Sequence, residues 1–137
     1  MVTALKVGLR SLWRRARSGF TLIELLIVMS IIALLLTLAV PRYFASLERS
    51  KETVLKSNLA AMRDALDKFY GDTGKYPEKL EILVEKKYLR ALPTDPITES
   101  NTTWVIVPPE QPEKGGVYDV HSGAQGNTLD GKPYKDL

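Results

Sequence analysis

Residues 19–40 read GFTLIELLIVMSIIALLLTLAV. From Leu22 to Val40, every side chain is apolar or carries a small hydroxyl, with the single exception of Glu24. At about 1.5 Å per residue, this run would form a helix of roughly 28 Å, which is close to the hydrocarbon thickness of a bilayer. The run therefore predicts one helix that crosses a membrane.

The carboxylate of Glu24 interrupts this apolar run and needs a physical reason. An ionised Asp or Glu costs about 2.5–3.5 kcal/mol in the centre of a transmembrane helix, so an acid there indicates a functional site. Two simpler interpretations exist: Glu24 could reach the headgroups from a position near the helix end, or its carboxyl could be protonated. Its place just after the junction of a basic segment ending at Gly19 and an apolar one starting at Phe20 favours a specific partner.

The residues at this junction resemble the processing motif of type IV pilin-like proteins, which include prepilins and the pseudopilins of type II secretion. The shared pattern is a basic leader, then Gly19, Phe20 and Glu24, then an apolar helix. The resemblance implies that a prepilin peptidase cuts between Gly19 and Phe20 and N-methylates Phe20. It also implies that residues 1–19 are a leader that is removed.

The spacing of the motif has a physical rationale. Cleavage would give Phe20 a free ammonium group, and a methylated secondary amine keeps that charge. Pairing this cation with Glu24 of a neighbouring copy would offset the desolvation of both groups, and the helix macrodipole favours an acid in the first turn. We therefore expect a homo-oligomeric filament in which residues 20–41 form the membrane-spanning helix and the filament core.

Charge is divided unevenly along the chain. The 137 residues include 19 basic and 16 acidic ones, a formal net charge of +3. Residues 1–19 contain five of the basic residues and none of the acidic ones, so the remainder carries 14 basic against 16 acidic residues. This balance argues against a nucleic-acid partner. The basic leader instead predicts that residues 1–19 stay cytoplasmic while the chain after Pro41 crosses the membrane.

Residues 42–70 predict an amphipathic continuation of the helix, outside the membrane and packed on one side. Its apolar residues recur at steps of four and three, which is a helical stripe: Leu55, Leu59, Met62, Leu66 and Phe69. Charged residues fall mostly off this stripe: Arg49, Glu52, Lys56, Arg63, Asp64, Asp67 and Lys68.

Pro41 separates the two helical segments. An interior proline removes one backbone hydrogen bond and clashes with the preceding turn, so it is expected to kink or locally melt the helix. Two interpretations stay open. Pro41 could be an ordinary helix break, or it could be a flexible joint that lets the helix unwind when subunits pack; pilin-like proteins resemble this chain in having a proline at the matching place.

Residues 71–137 predict the rest of a small α+β domain. We expect Gly71-Asp72-Thr73-Gly74 to end the long helix. A short amphipathic helix is predicted at Glu78–Tyr88. Two strands are predicted at Trp104–Val107 and Val117–His121, joined through Glu110–Gly116.

Two strands alone are marginally stable, so a third pairing is expected from the C-terminal residues. The aromatic side chains of Trp104 and Tyr118 are expected in the core. The predicted fold class is therefore α+β, with a long N-terminal helix packed on a small antiparallel sheet.

The order of short motifs beyond the helix resembles the major, G-type pseudopilins. The motifs are Gly74-Lys75-Tyr76-Pro77, Leu92-Pro93-Thr94-Asp95-Pro96, Gly116-Val117-Tyr118-Asp119-Val120, Ser122-Gly123-Ala124-Gln125-Gly126 and Asp130-Gly131. The resemblance implies a periplasmic filament subunit of type II secretion, anchored in the bacterial inner membrane. Its implied partners are prepilin peptidase, other pseudopilins and the inner-membrane secretion platform.

The same resemblance implies a possible calcium site within Ser122–Asp136. The candidate ligands are Ser122, Gln125, Asp130 and Asp136, with backbone carbonyls, because oxygen ligands suit calcium. Gln125 stands where the family usually has an acid, which would weaken binding. The alternative is that the glycines of this segment simply make turns.

No catalytic arrangement is evident in the sequence. His121 is the only histidine, and there is no cysteine, which excludes disulfides and a Cys or His zinc cluster. We therefore predict a structural subunit rather than an enzyme, with no required cofactor. Many type IV pilins have a disulfide-closed loop, so the missing cysteines favour a pseudopilin.

Two alternatives remain at this stage. A type IV pilin for adhesion, twitching or DNA uptake would share the whole N-terminal half. A single-pass anchored binding or enzymatic domain, with an accidental motif, belongs to a different class of protein, and an uncut N-terminus would support it.

Overall fold

The computed structural model describes residues 18–137. The predicted leader lies outside the described residues except for its last two positions. Helix α1 covers Leu22–Thr73, helix α2 covers Glu81–Glu85, strand β1 covers Val105–Val107 and strand β2 covers Asp119–His121. Short 3-10 helices occupy Pro112–Lys114 and Tyr134–Asp136. This is the α+β class that the sequence predicts.

The chain divides between Ala39 and Val40 into two units, of which the first is described from residue 18 onward. In the described part of the first unit, every side chain is exposed. The two hydroxyls within residues 22–39 are bonded inside the helix: Ser30 Oγ donates to the Leu26 carbonyl at 2.7 Å and Thr37 Oγ1 to the Ala33 carbonyl at 2.8 Å. Both polar groups are thus satisfied without water, which suits an apolar environment.

Helix α1 continues through Pro41 without interruption, so an ordinary helix break at Pro41 is not what this subunit contains. Unwinding on assembly stays a prediction. The helix also ends later than expected, because Gly71 lies inside it and Gly74 follows its end with φ of 75°. The Gly74 N–H donates to the Tyr70 carbonyl at 2.8 Å. A left-handed residue at this place is commonly glycine, since glycine has no Cβ penalty there.

The core of the second unit lies between α1 and the segments that follow it. The predicted stripe is confirmed, since Leu55, Leu59, Met62 and Leu66 are at most 1% exposed and Phe69 packs against them. Opposite the stripe, the core is completed by residues from the shorter elements and loops: Leu80, Leu83, Trp104, Val117, Val120, Ala124 and Tyr134. Burying this apolar surface drives the folding of the unit.

Strands β1 and β2 pair antiparallel, with Ile106 opposite Val120. Both are shorter than predicted, and for β2 one reason is that the backbone N–H of Val117 bonds outside the sheet. The Trp104 indole N–H donates to the Pro93 carbonyl at 2.9 Å, and the Val117 N–H donates to the Pro77 carbonyl at 2.9 Å.

The expectation of a third strand was wrong. Within residues 18–137, the sheet has two strands, and the C-terminal residues contribute an isolated bridge between Asn127 and Pro133. The buried ring of Tyr134 then joins the core instead of a strand. Packing against α1 thus gives the short sheet the support that a third strand would have supplied.

Helix α2 is also shorter than the predicted Glu78–Tyr88. It ends at Glu85 because Lys87 adopts a φ of 65°, and the N–H groups of Tyr88 and Leu89 both donate to the Leu83 carbonyl. Leu80 and Leu83 are buried, which agrees with an amphipathic helix in this region.

One aromatic residue was placed wrongly. Trp104 is in the core, but Tyr118 is 53% exposed and contacts the edge of Tyr76, with ring centroids 5.4 Å apart. Tyr118 lies next to the start of β2, and its ring joins an aromatic contact at the surface. Alternation along a strand does not by itself say which of its two faces is buried.

Candidate functional site

The predicted cleavage point lies immediately before α1. Residues 18–21 have no regular secondary structure, and both Gly19 and Phe20 are exposed. Thr21 caps the helix: its Oγ1 accepts the Glu24 N–H at 3.1 Å, and its carbonyl accepts the Leu25 N–H at 3.1 Å. Thr21 is therefore the N-cap and Glu24 is the third helical residue, in the pattern of a capping box.

Gly19 has no role in the folded subunit that would require a glycine. A Cβ placed there would meet nothing within 4 Å, and its φ is not in the left-handed range. A glycine that the fold does not need suggests a role in recognition. A peptidase that cuts after this position would select a residue without a side chain.

The capping geometry positions Glu24 in the first turn of α1, where its side chain is exposed. Within residues 18–137, none of the ion pairs includes Glu24. The macrodipole favours the anion at this end of the helix, but it gives the carboxylate no hydrogen-bond donor beyond the helix itself. In an apolar environment, a cation from outside the subunit would compensate such a carboxylate.

The run after Glu24 forms a continuous apolar surface. Between Leu22 and Val40, every large apolar side chain is 42–76% exposed. In the described part of the chain, α1 is the one helix long and apolar enough to cross a membrane. Monomeric soluble proteins rarely expose an apolar patch of this extent, so the surface is suited to lipid or to other helices.

The four candidate calcium ligands are placed differently from what calcium needs. Ser122 is fully buried, and its Oγ donates to Asp95 Oδ2 at 2.6 Å and accepts the Ala124 N–H at 3.1 Å. Gln125, Asp130 and Asp136 are exposed. Among residues 18–137, no group of three or more acidic, His or Cys side chains is positioned to hold a metal ion. The residues present do not fit a calcium site.

Asp95 is a polar centre that the sequence did not reveal. It is fully buried, and its Oδ1 accepts the N–H groups of Ile97 and Thr98 while its Oδ2 accepts the Ser122 hydroxyl. A carboxylate with these donors orders its own turn and ties it to the segment after β2. No sequence signal linked Asp95 to Ser122.

Two of the charged residues that were grouped as mostly off the apolar stripe of α1 have partners elsewhere in the fold. Glu52 is 5% exposed, and its Oε1 accepts the Leu129 N–H at 2.6 Å. The Arg63 guanidinium contacts Asp119 Oδ1 at 2.8 Å and the main-chain oxygens of Val120 and Leu137. A 3.6-residue period separates faces of a helix but does not show which charges find buried partners.

His121 lies at the surface of the same cluster. Its Nδ1 is 2.7 Å from the Leu137 main-chain oxygen and its Nε2 is 3.5 Å from Asp119 Oδ2. These contacts give the ring a structural role in holding Leu137 against β2.

Perturbed pKa values in the second unit do not indicate acid–base chemistry near neutral pH. The hydrogen bond to Asp72 raises the pKa of the Tyr88 phenol, and removal from water raises the pKa of the Tyr134 phenol. The hydrogen bond to Asp64 raises the pKa of the Lys68 ammonium. Each shift favours the protonated form that is already present at neutral pH.

Comparison with known proteins agrees with this geometry. Residues 14–40 match the family model described as the prokaryotic N-terminal methylation motif. The chain is 37% identical over 99 residues to type II secretion system core protein G of Pseudomonas aeruginosa, covering 61% of this chain and 70% of that protein.

Two further relatives extend the comparison. The core protein G of Escherichia coli K12 is 32% identical over 120 residues, covering 76% of this chain and 79% of that protein. The type IV major alpha-pilin of Moraxella bovis is 33% identical over 124 residues, covering 89% of this chain and 74% of the pilin. Comparison with solved structures gave no match.

A capped apolar helix preceded by a methylation motif and continued into a small α+β unit defines the pilin-like class of proteins. The present chain covers more than two thirds of the length of these two type II secretion relatives, at identities above 30%. The chain therefore belongs, within that class, to the family of type II secretion system core protein G.

Proposed function

We propose that this chain is a structural subunit of a periplasmic pseudopilus, the filament of a type II secretion machine, and not an enzyme. A prepilin peptidase cuts it between Gly19 and Phe20 and methylates the new amine of Phe20. The mature subunit then polymerises through residues 20–41. The observation that carries the proposal is an apolar helical segment whose side chains are exposed and which begins directly after the motif.

The accessible cleavage point supports the processing step. A peptidase must bind an extended segment, and residues 18–21 are exposed and outside the helix. The fold does not require a glycine at position 19, so we attribute Gly19 to recognition by the peptidase.

The exposed apolar surface supports the assembly step. Before assembly, lipid covers residues 22–40, and the basic leader keeps the N-terminus cytoplasmic while the second unit lies in the periplasm. After cleavage, helices of neighbouring copies replace the lipid. The Phe20 ammonium of one copy and Glu24 of the next then compensate each other in an environment without water.

The partners follow from this role. The chain meets prepilin peptidase in the inner membrane, then other copies of itself, other pseudopilins and the inner-membrane secretion platform. The second unit decorates the filament surface. Pro41 would absorb the change of helix geometry on packing, because its ring and missing N–H weaken the helix locally.

A surface pilus is the second candidate function. It is favoured by the Moraxella bovis pilin, which is similar over 89% of this chain. The two functions use the same N-terminal assembly and differ in where the filament ends and what it serves.

The test combines a processing assay with a deletion strain. Mass spectrometry of the membrane-purified protein should give a mature chain that starts at methylated Phe20. Deleting the gene should abolish export of secreted enzymes, and the wild-type gene should restore it. An intact leader would contradict the processing step, while normal export together with loss of surface fibres or motility would replace secretion by the pilus function.

A further inference from the structure

We infer that residues 122–137 are held in place by the protein's own charged and polar side chains, with the Arg63 guanidinium as the central cation, so that this segment folds without a metal ion. The inference concerns the second unit alone. It does not depend on whether the filament serves secretion.

Arg63 makes the contacts that a bound cation would make. Its Nε donates to Asp119 Oδ1 at 2.8 Å, and its Nη2 donates to the main-chain oxygens of Val120 at 2.9 Å and Leu137 at 2.7 Å. One carboxylate and two main-chain oxygens are hard oxygen ligands of the type that calcium prefers. Here a fixed cation on α1 bridges them and joins β2 to the last residue described.

Ser122 is committed to another partner. Its hydroxyl donates to the buried Asp95 carboxylate at 2.6 Å and is 0% exposed. A metal at Ser122 would need to displace this charge-assisted bond and would leave Asp95 without one of its donors. Breaking such a buried bond is costly, because the carboxylate cannot turn to water instead.

Glu52 fixes the middle of the segment. Its Oε1 accepts the Leu129 N–H at 2.6 Å, across the sequence from α1. A buried carboxylate would be an attractive calcium ligand, but this one is used by the backbone of the segment itself. The segment is therefore attached to α1 at two points, one acidic and one basic.

Of the remaining candidate ligands, Gln125 lies near a basic residue. Gln125 and Lys135 line the same shallow surface depression, together with the backbone of Gly123 and Gly126. An ammonium group at this place repels a divalent cation. Asp130 and Asp136 are exposed, and they form no group that could hold a metal ion with other acidic or histidine side chains among the described residues.

The first experiment compares thermal unfolding of the full chain in detergent micelles with millimolar calcium, with millimolar magnesium and with the chelator EGTA. We expect the three melting temperatures to agree within about 2 °C, which is a change within the range of ordinary surface effects. A bound ion at about a hundred times its dissociation constant would raise the melting temperature by roughly 10–20 °C. A rise of that size with calcium alone would overturn the inference.

The second experiment removes the internal cation. Arg63→Met keeps the length and apolar stem of the side chain and should lower the melting temperature by about 10 °C, since it removes one hydrogen-bond donor from the Asp119 carboxylate and from two main-chain oxygens. It should also open the segment to trypsin at Lys132 and Lys135, read by mass spectrometry. The matched control is Arg49→Met, the same substitution at an exposed position of α1, which should change neither readout.

Two further variants keep the test decisive if Arg63→Met fails to fold. Asp119→Asn retains the shape of the contact and should lower the melting temperature by a smaller amount, about 5 °C, with faster cleavage at Lys132. Asp130→Asn removes a candidate calcium ligand and should have no effect in calcium or in EGTA. Wild-type stability in Asp119→Asn, or a calcium-dependent loss in Asp130→Asn, would overturn the inference.

Discussion

The two halves of helix α1 have the same backbone and opposite surroundings. Between Leu22 and Val40, large apolar side chains are 42–76% exposed, whereas Leu55, Leu59, Met62 and Leu66 are at most 1% exposed. The first half is apolar on all sides, and the second half is apolar along one stripe. The second half finds its partner within the same chain, whereas the side chains of the first half are exposed in the part of the chain that the structure describes.

This difference separates folding from assembly. The second unit can fold before assembly, because its apolar stripe on α1 is covered by residues of the same unit. The described side chains of the first are exposed, so their apolar surface is available for contacts with lipid or with other helices. Mutations in the two halves should therefore act on different measurements, which the following variants test.

The largest effect is expected for Glu24→Ala. Removing one partner of a buried ion pair costs about 3–5 kcal/mol because the other charge stays buried without compensation, so incorporation into filaments should fall by about a hundredfold or more. Cleavage after Gly19 and the melting temperature of the second unit should stay unchanged. The measurement is the filament-to-membrane ratio of the processed protein after shearing and centrifugation.

The matched control is Glu85→Ala, an exposed acid on α2, which should be incorporated like the wild type. Normal incorporation of Glu24→Ala would show that the charge pair does not hold the filament. Loss of cleavage in the same variant would move the role of Glu24 from assembly to processing.

The next effect compares the same substitution in the two halves. Leu59→Ala should destabilise the second unit by about 2–5 kcal/mol, because it leaves a cavity in a packed core. Leu35→Ala removes the same atoms from a side chain that is 59% exposed and should change unfolding by less than about 0.5 kcal/mol. Both are measured by denaturant unfolding of the full chain in micelles. Equal losses in the two variants would refute the division of roles.

The smallest effect is expected from glycine substitutions within the second unit. A Cβ at Gly123 would lie 2.1 Å from the Thr103 carbonyl oxygen, so Gly123→Ala must displace backbone and should cost about 1–3 kcal/mol. A Cβ at Gly71 meets nothing within 4 Å inside α1, so Gly71→Ala should stabilise by about 0.5–1 kcal/mol. Thermal unfolding reports both signs, and a loss of stability in Gly71→Ala would contradict the placement of Gly71 inside the helix.

Local sequence signals predicted the helices of this protein better than its loops. Leu22–Val40 and the stripe from Leu55 to Phe69 are long periodic patterns, and the structure confirms both. The ends of α2 and the two strands were predicted too long, since hydrogen bonds such as Val117 N–H to the Pro77 carbonyl compete with regular structure. Such competition depends on residues that are distant in sequence.

The sequence predicted the part of the site whose residues are neighbours in the chain. It did not predict the contacts between residues that are far apart in sequence. Gly19, Phe20 and Glu24 lie within six residues, so their pattern is visible without a fold. Asp95 and Ser122 are 27 positions apart, and Arg63 and Leu137 are 74 apart. The sequence spacing of such pairs does not predict a contact between them.

By itself, the sequence determined the membrane-length apolar helix, the processing motif before it, and the amphipathic stripe after it, because hydrophobicity and helical period act over neighbouring residues. Only the tertiary structure decided that Glu52 and Arg63 face the C-terminal segment, that Ser122 serves Asp95, and that Tyr118 stays at the surface. Those outcomes depend on which buried charge finds a donor or acceptor across the fold, and that choice is made when the chain packs.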